Sequence, residues 1–325
     1  MARLWLICRY PKVRVLLGFL AVYVFWGSTY IGIHFAIQTL PTFLMSSIRF
    51  LLAGLILYAL AYFKARERPS LKEWGIAAVL GFLLIFAGNA GSTWAVEHIP
   101  SGLSALLVAT EPIFIVLLAW FLKYEGRPSK RVVAGLLLGL AGIACLFRID
   151  PVGGFSPIQA VAMLAVLGAA FCWALGSVIS IKLQSSLSPL MASALMLIMG
   201  GLMFGLLGTL MGEASTMRLS QVSLESVAAL LYLVVFGSVV ALTAYIWLLR
   251  KCDPHRVATY AFVNPVVAMF LGWALAGESL TLNSAIASVL IVVSTAMLVL
   301  EKKAEPKEDQ APETSNASEP LPVAS

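Results

Sequence analysis

Apolar stretches of about 20 residues recur along the chain and alternate with short polar segments. A transmembrane α-helix needs about 20 apolar residues in succession, whereas a strand of a membrane barrel alternates over about 10. The pattern therefore predicts an all-α membrane protein with ten transmembrane helices. Spans 1 to 10 are placed at 15–36, 42–63, 74–95, 101–122, 131–148, 157–181, 188–211, 226–248, 255–276 and 281–300.

Part of this pattern occurs twice. Pro100 to Glu125 reads PSGLSALLVATEPIFIVLLAWFLKYE, and 153 positions later Asp253 to Glu278 reads DPHRVATYAFVNPVVAMFLGWALAGE. In this register Pro112 corresponds to Pro265, and both prolines lie midway along an apolar span. Each half has five spans, so the second half must enter the membrane from the opposite side. The sequence therefore predicts two inverted five-helix repeats.

The composition supports lipid as the surrounding solvent. The chain is 60% hydrophobic and only 12% charged, whereas soluble domains carry about 25% charged residues. The net charge of +6 does not indicate nucleic-acid binding, because the lysines and arginines follow the predicted topology. Almost all of them fall in the N-terminal segment, in the even-numbered loops and after the last span. This distribution predicts that both termini are cytoplasmic.

The predicted domain division follows from these patterns. The first five-helix repeat is 1–148, and the second is 149–300. Residues 301–325 are rich in Glu, Pro, Lys, Ser and Ala. Such a segment cannot bury enough apolar surface to offset its chain entropy. It is therefore predicted to be a disordered cytoplasmic tail.

Polar side chains of four spans are predicted to lie at similar depth in the membrane. With a rise of about 1.5 Å per residue, Glu111 of span 4 and Asn264 of span 9 are at the midplane. Arg49 of span 2 is about 5 Å outward of the midplane, and Asn89 of span 3 about 6 Å outward. An ionised group at this depth costs about 2.5 to 3.5 kcal/mol on insertion scales, so such groups usually face a cavity and are paired.

These four residues have two interpretations. Functionally, Glu111 is a coupling site or a site for a substrate amine, and Arg49 is a counter-ion or an anchor for a carboxylate. Structurally, the same two residues approach each other only to fix helix packing. We hypothesise that they do approach each other. For Asn89 and Asn264 the alternatives are a role in the site and an interhelical hydrogen bond.

Prolines and aromatic residues extend the predicted site. Pro112 and Pro265 each free a carbonyl one turn earlier and are expected to kink their helices, although plain curvature is an equal account. Aromatic residues are expected on the walls of the cavity, where their rings can contact an amphipathic substrate or a cation. Ordinary packing is the alternative for these aromatic residues, which are Trp26 and Tyr30 of span 1, Trp173 of span 6, and Tyr260 of span 9.

No pattern indicates a bound metal or an organic cofactor. The four cysteines are scattered, the three histidines form no ligand set, and no Walker-type phosphate loop is present. We therefore expect no metal, no cofactor and no direct use of ATP. The alternative from another class is a polytopic lipid-modifying membrane enzyme. Such an enzyme needs a nucleophile or a metal near the interface, whereas the ionisable groups here lie at the midplane.

Several short motifs, in this order, resemble the EamA branch of the drug/metabolite transporter superfamily over almost the whole chain. They are WGSTY at 26–30, IRFLLAG at 48–54, GN at 88–89, VEH at 96–98, PSG at 100–102, WALGS at 173–177, FGS at 236–238, YAFVNP at 260–265 and GE at 277–278. Glu111 departs from the family pattern, in which a small or neutral residue is expected before the proline.

The resemblance implies a ten-helix secondary transporter of the inner membrane. Such a carrier exports amino acids, their derivatives, other metabolites or drug-like compounds by alternating access. Its partners would be a small-molecule substrate, the lipid bilayer and, by hypothesis, protons that bind Glu111. An uncoupled facilitator of the same fold is the alternative, and a homo-oligomer is compatible with the pattern.

Overall fold

The computed structural model describes residues 11–124, 127–147, 156–180, 182–183, 185–249, 251–252, 257, 260–279 and 282–299. Within these ranges the ordered elements are helices, and each of the ten predicted spans is present. The tail 301–325 lies outside the described residues. Spans 1 to 10 are Pro11–Ala36, Thr42–Ala65, Leu71–Ala95, Ser101–Phe121, Lys130–Phe147, Pro157–Ser180, Pro189–Leu210, Leu224–Leu248, Tyr260–Ala276 and Leu282–Val299.

The outer faces of the spans are apolar, as expected for helices in lipid. Large side chains such as Leu55, Leu137, Leu164 and Leu206 are exposed on them. Seven of the described helical segments are long and apolar enough to cross a membrane. The chain is therefore an all-α protein whose hydrophobic residues cover both its interior and its lipid-facing surface.

The two halves pack with the two-fold pattern that inverted repeats require. Span 2 packs on span 7, and span 5 packs on span 10. The contact of span 1 with span 9 has its counterpart in the contact of span 6 with span 4. Likewise, the packing of span 3 on span 6 has its counterpart in the packing of span 8 on span 1. The predicted inverted architecture is confirmed.

Close contacts between spans 2 and 7 give the register of these two helices. A Cβ built on Gly54 would lie 2.8 Å from Cγ1 of Ile198, and one built on Gly201 would lie 2.9 Å from Cγ of Leu51. Adding 147 to Gly54 and Leu51 gives Gly201 and Ile198, so the two contacts are equivalent positions of the repeat. Because glycine has no side chain, the two backbones approach closely at both points.

Carboxylates from neighbouring loops bind the N-termini of these two helices. Glu213 accepts hydrogen bonds from the backbone N–H of Phe43 at 3.1 Å and of Leu44 at 2.8 Å. Glu67 accepts one from the N–H of Ser188 at 3.1 Å. The first N–H groups of a helix have no partner within the helix, and its N-terminus favours negative charge. The second half therefore caps span 2 of the first half, and the first half caps span 7 of the second half.

A third carboxylate binds the start of span 4. Glu278, in the loop after span 9, accepts hydrogen bonds from the N–H of Ser101 at 2.8 Å and of Gly102 at 3.2 Å. A Cβ on Gly272 would lie 2.3 Å from this carboxylate. The repeat predicts Glu125 as the counterpart of Glu278, but Glu125 lies outside the described residues. Spans 4 and 9 are thus joined at one face of the membrane.

We expect Glu278→Ala to destabilise the protein by about 1 to 2 kcal/mol, because two N–H groups lose their acceptor. The measurement is the thermal unfolding midpoint in detergent. Glu225→Ala is the matched control, since Glu225 is exposed in the first turn of span 8. Equal midpoints for the two variants would show that the cap contributes nothing.

Candidate functional site

A cavity of about 80 Å³ lies between the two halves, near the middle of the spans. Its walls come from spans 1 to 4 and spans 6 to 9, and no described side chain of spans 5 and 10 lines it. The volume is room for a few water molecules. The structure places all eight predicted binding residues on this wall, namely Trp26, Tyr30, Arg49, Asn89, Glu111, Trp173, Tyr260 and Asn264.

Span 4 is broken beside the cavity. One helix ends at Val108, a turn follows at Ala109 and Thr110, and a second helix begins at Glu111. Pro112 lies in the first turn of the second helix, where its missing N–H is tolerated, and it cannot bond the carbonyl of Val108. Span 4 is therefore interrupted just before Pro112, although Ala109 and Thr110 keep right-handed helical backbone angles. Glu111 consequently lies at a helix N-terminus, which favours a negative charge.

The carboxyl group of Glu111 is almost completely buried. The residue is 3% exposed, and its Oε1 accepts a hydrogen bond from the hydroxyl of Tyr260 at 2.7 Å. Tyr260 belongs to span 9, so this bond joins the two halves across the cavity. The acid therefore has one donor from the opposite repeat.

Arg49 reaches the same cavity from span 2, but it does not pair with Glu111. Its Nε donates to Oγ of Ser238 at 2.9 Å, and its Cζ lies 4.7 Å from the centre of the Phe50 ring. Among the described residues, no carboxylate forms an ion pair with this guanidinium. Both side chains line the same cavity, but each bonds to a hydroxyl group and the two do not form an ion pair with each other. A buried cation without an ionic partner is unfavourable by several kcal/mol.

Two π-helical segments border the cavity at corresponding positions. They are Gly81–Ala87 in span 3 and Leu233–Val240 in span 8. Adding 153 to the first segment gives 234–240, so both lie at the same position of the repeat. A π-helix is wider than an α-helix and is frequent at functional sites. The sequences of these segments are GFLLIFA and LVVFGSVV, and their apolar pattern did not predict a π-helix.

Asn89 completes the hydrogen bonds of the first π-segment. Its Nδ2 donates to the carbonyl oxygens of Leu84 at 2.9 Å and of Ile85 at 3.0 Å. The interhelical hydrogen bond that was the alternative for Asn89 is therefore replaced by bonds within span 3. The side chain lies on the cavity wall and also stabilises the unusual backbone beside it.

The second π-segment supplies two groups to the site. The carbonyl of Gly237 accepts a hydrogen bond from Nε1 of Trp26 at 3.1 Å, and Ser238 holds Arg49. A Cβ on Gly237 would lie 2.9 Å from Nη2 of Arg49. A side chain at this position would therefore crowd Thr29 and the guanidinium. The FGS motif at 236–238 carried part of the family resemblance, but neither Gly237 nor Ser238 was predicted to lie at the site.

Four aromatic rings form a cluster next to the cavity. The Trp26 ring centre lies 5.5 Å from that of Trp173, 4.9 Å from that of Tyr245 and 5.2 Å from that of Tyr260. Tyr245 was missed, although it follows Ser238 by seven residues in span 8 and thus shares a helix face with it. The ring faces and edges give the site an apolar, polarisable side.

Asn264 links spans 1 and 9. With its amide nitrogen facing two carbonyls, it donates to the oxygen of Tyr23 at 3.1 Å and of Tyr260 at 3.2 Å. The bond to Tyr23 is the interhelical bond that was one of the two interpretations. Pro265 follows inside the continuous helix Tyr260–Ala276, in contrast to Pro112.

The polar groups of the cavity are not duplicated. With the offset of 147 for spans 2 and 7, the counterpart of Arg49 is Met196. With the offset of 153 for the other spans, the counterpart of Asn89 is Leu242 and that of Glu111 is Asn264. Ser238 takes the place that Ile85 holds in the first half. Both charged groups on the wall therefore belong to the first repeat. The architecture is symmetric, but its chemistry is not.

Comparison with known proteins agrees with this architecture. Residues 13–148 and 160–300 match the EamA-like transporter family. The uncharacterized inner membrane transporter YedA of Escherichia coli strain K12 is 34% identical over 297 residues, which cover 90% of this chain and 94% of YedA. A probable amino-acid metabolite efflux pump of Salmonella typhimurium strain LT2 is 28% identical over 286 residues, covering 85% and 92% of the two chains.

A crystal structure of another protein has the same fold, with a TM-score of 0.64, 21% identity and coverage of 88% of this chain and 96% of that chain. The family match covers both repeats, and YedA is similar over nearly its whole length. The chain belongs to the EamA-like transporter family of the drug/metabolite transporter superfamily and is a multi-pass inner-membrane transporter.

Proposed function

We propose that this protein is a secondary transporter that exports a small amphipathic metabolite or drug-like compound through the central cavity by alternating access. The observation that carries the proposal is the composition of the wall, where both halves surround a buried acid, a buried guanidinium and an aromatic cluster. The naming of a similar protein as a probable amino-acid metabolite efflux pump is consistent with a metabolite as substrate.

The size of the cavity supports alternating access. A site for a small molecule usually measures about 300 Å³ or more, whereas this cavity has about 80 Å³. Substrate can therefore enter only after the helices around it separate. The present conformation is one in which the site is contracted.

The packing of span 4 indicates where separation is easier. Near Ser101 this span contacts span 9 tightly, since a Cβ on Gly102 would lie 2.9 Å from Cγ of Met269. Beyond the break, the helix Glu111–Phe121 packs on spans 6 and 10. Spans 4 and 9 are thus held together on the side of the cavity that carries Ser101. If both termini are cytoplasmic, as the distribution of lysine and arginine predicts, this is the outer face.

Proton coupling through Glu111 is the mechanism that we favour over an uncoupled facilitator. Burial favours the neutral carboxyl group, while the helix N-terminus favours the carboxylate. The hydrogen bond from Tyr260 to Glu111 joins the two halves. Separation of the halves would therefore change the equilibrium between the protonated and the charged form of Glu111. Proton binding and release would then follow the conformation of the transporter.

The test begins with an export and resistance screen of amino acids, aromatic and aliphatic organic acids, amines and cationic dyes in cells with and without the protein. A transported compound is then followed in proteoliposomes with an imposed pH gradient. We expect the gradient to accelerate flux by the wild type, and gradient-driven flux by Glu111→Gln to fall roughly tenfold or more, a typical coupling. Glu225→Gln removes an exposed carboxylate as the control.

The outcomes separate the candidate functions. Wild-type flux that ignores the gradient would indicate a facilitator. Gradient-driven flux that is the same in Glu111→Gln would reject coupling through this residue. An absence of flux for every compound in the screen would count against the transporter function itself.

A further inference from the structure

We propose that the transported metabolite is an organic anion, and that its acidic group binds the guanidinium of Arg49. The inference rests on the proposed function, because it takes the same cavity as the substrate site. It adds the chemical class of the substrate and a role for Ser238 as a positioning residue.

The first argument is the incomplete pairing of Arg49. A guanidinium has five N–H donors in a fixed plane, and one of them, that on Nε, donates to Ser238. Arg49 is 5% exposed, and it lines the cavity. No carboxylate pairs with it in the ranges the structure describes. A buried charge needs an ionic partner, and the cavity is the place from which a ligand can supply one.

The second argument concerns the competing acid. Among the described residues of the wall, Glu111 is the other charged one, and its carboxyl group accepts a hydrogen bond from Tyr260. Under the proposed coupling, Glu111 carries a proton in one part of the cycle, and the cavity then holds an excess positive charge. An anionic substrate compensates this charge, whereas a cationic substrate would double it.

The third argument is orientation. Ser238 fixes one edge of the guanidinium, the Phe50 ring lies 4.7 Å from Cζ, and Gly237 leaves space for Nη2. Fixing the plane in this way suits two parallel hydrogen bonds to a carboxylate or a similar planar acid. Lysine could supply the charge but not this geometry.

The aromatic cluster defines the rest of the ligand. Trp26 and Trp173 lie on the same wall as Arg49, and their ring centres are 5.5 Å apart. Aromatic side chains bind flat apolar groups with favourable geometry. The predicted substrate is therefore a small acid with an apolar or aromatic body.

The test uses three probes that share one ring and one chain: 3-phenylpropionate, 3-phenylpropylamine and 3-phenylpropanol. Their binding to the purified protein in detergent is measured by calorimetric titration. We expect the acid to bind more tightly than the amine and the alcohol. Arg49→Gln should weaken binding of the acid roughly tenfold or more, with little change for the alcohol.

Two further variants make the test specific. Arg131→Gln removes an exposed arginine at the start of span 5 and should leave all three affinities unchanged. Ser238→Ala keeps the charge of Arg49 but removes its positioning, so binding of the acid should weaken by a smaller factor. This variant also tests the proposal if Arg49→Gln fails to fold. If Arg49→Lys binds the acid more tightly than Arg49→Gln but more weakly than the wild type, the result supports the bidentate geometry.

Preference for the amine, absence of binding by the acid, or unchanged acid binding in a folded Arg49→Gln protein would overturn the proposal. Because the titration needs neither a gradient nor vesicles, its result is independent of transport. A protein that binds the acid through Arg49 but moves no compound keeps the anion site and rejects the proposed transport. A protein that transports compounds yet binds the amine more tightly than the acid keeps the proposed function and rejects this inference.

Discussion

Gly91→Ala is expected to destabilise the protein by about 3 kcal/mol, near the upper end of what overpacking usually costs. Gly91 lies in span 3, and a Cβ there would be 2.1 Å from the carbonyl oxygen of Ala165 and 2.7 Å from its carbonyl carbon. The obstacle is backbone, so no rotation of a side chain can relieve the clash. Spans 3 and 6 would have to move apart along the cavity wall.

The unfolding midpoint in detergent measures this effect, and Gly168→Ala is the control. Gly168 is exposed in span 6, and a Cβ there would meet nothing within 4 Å. Replacing glycine by alanine in a helix otherwise stabilises it by about 0.5 to 1 kcal/mol. The two variants should therefore shift the midpoint in opposite directions. Two shifts of the same sign and size would contradict the close approach of spans 3 and 6.

Asn89→Leu is expected to abolish transport and to lower stability by about 1 to 3 kcal/mol. The substitution keeps the size of the side chain but removes its two hydrogen bonds to the carbonyls of Leu84 and Ile85. A typical hydrogen bond contributes about 0.5 to 1.5 kcal/mol net. If the π-segment instead rewinds into an α-helix, the rest of span 3 turns by about 100° relative to the cavity.

Flux and unfolding midpoint together check the Asn89 prediction. Asn283→Leu makes the same change at the partly exposed start of span 10 and should alter neither quantity strongly. Normal transport by Asn89→Leu would show that the π-segment holds its shape without the amide. A stable but inactive variant would indicate rewinding.

The spans could be predicted because lipid imposes a length and a composition on every helix that crosses it. The layer of Arg49, Asn89, Glu111 and Asn264 followed from the constant rise of a helix, and all four residues lie on one cavity. These predictions depend on properties that each span has by itself. They do not require knowledge of which side chains meet.

The partners within that layer could not be predicted in the same way. Opposite charge made Glu111 the expected partner of Arg49, but 189 positions separate Arg49 from the serine that it actually contacts. Hydroxyl groups of Ser238 and Tyr260 compete with the ion pair, and their positions depend on packing between the halves. Tertiary contacts therefore decided a question that charge alone left open.

The two prolines show the same limit. Pro112 and Pro265 occupy matching positions, yet span 4 breaks before Pro112 while span 9 continues through Pro265. In span 9 the amide of Asn264 bonds two carbonyls near the proline, whereas span 4 has the carboxyl group of Glu111 at this point. The same proline at matching positions is therefore found in two different helix geometries, which the sequence repeat alone did not predict.

The paired π-segments bear on the history of the chain. An i to i+5 turn holds one residue more than an α-helical turn, and both copies hold it at the same place in the repeat. Independent acquisition would require the same insertion twice, so we infer that the single five-helix ancestor already contained the extra residue before its gene was duplicated.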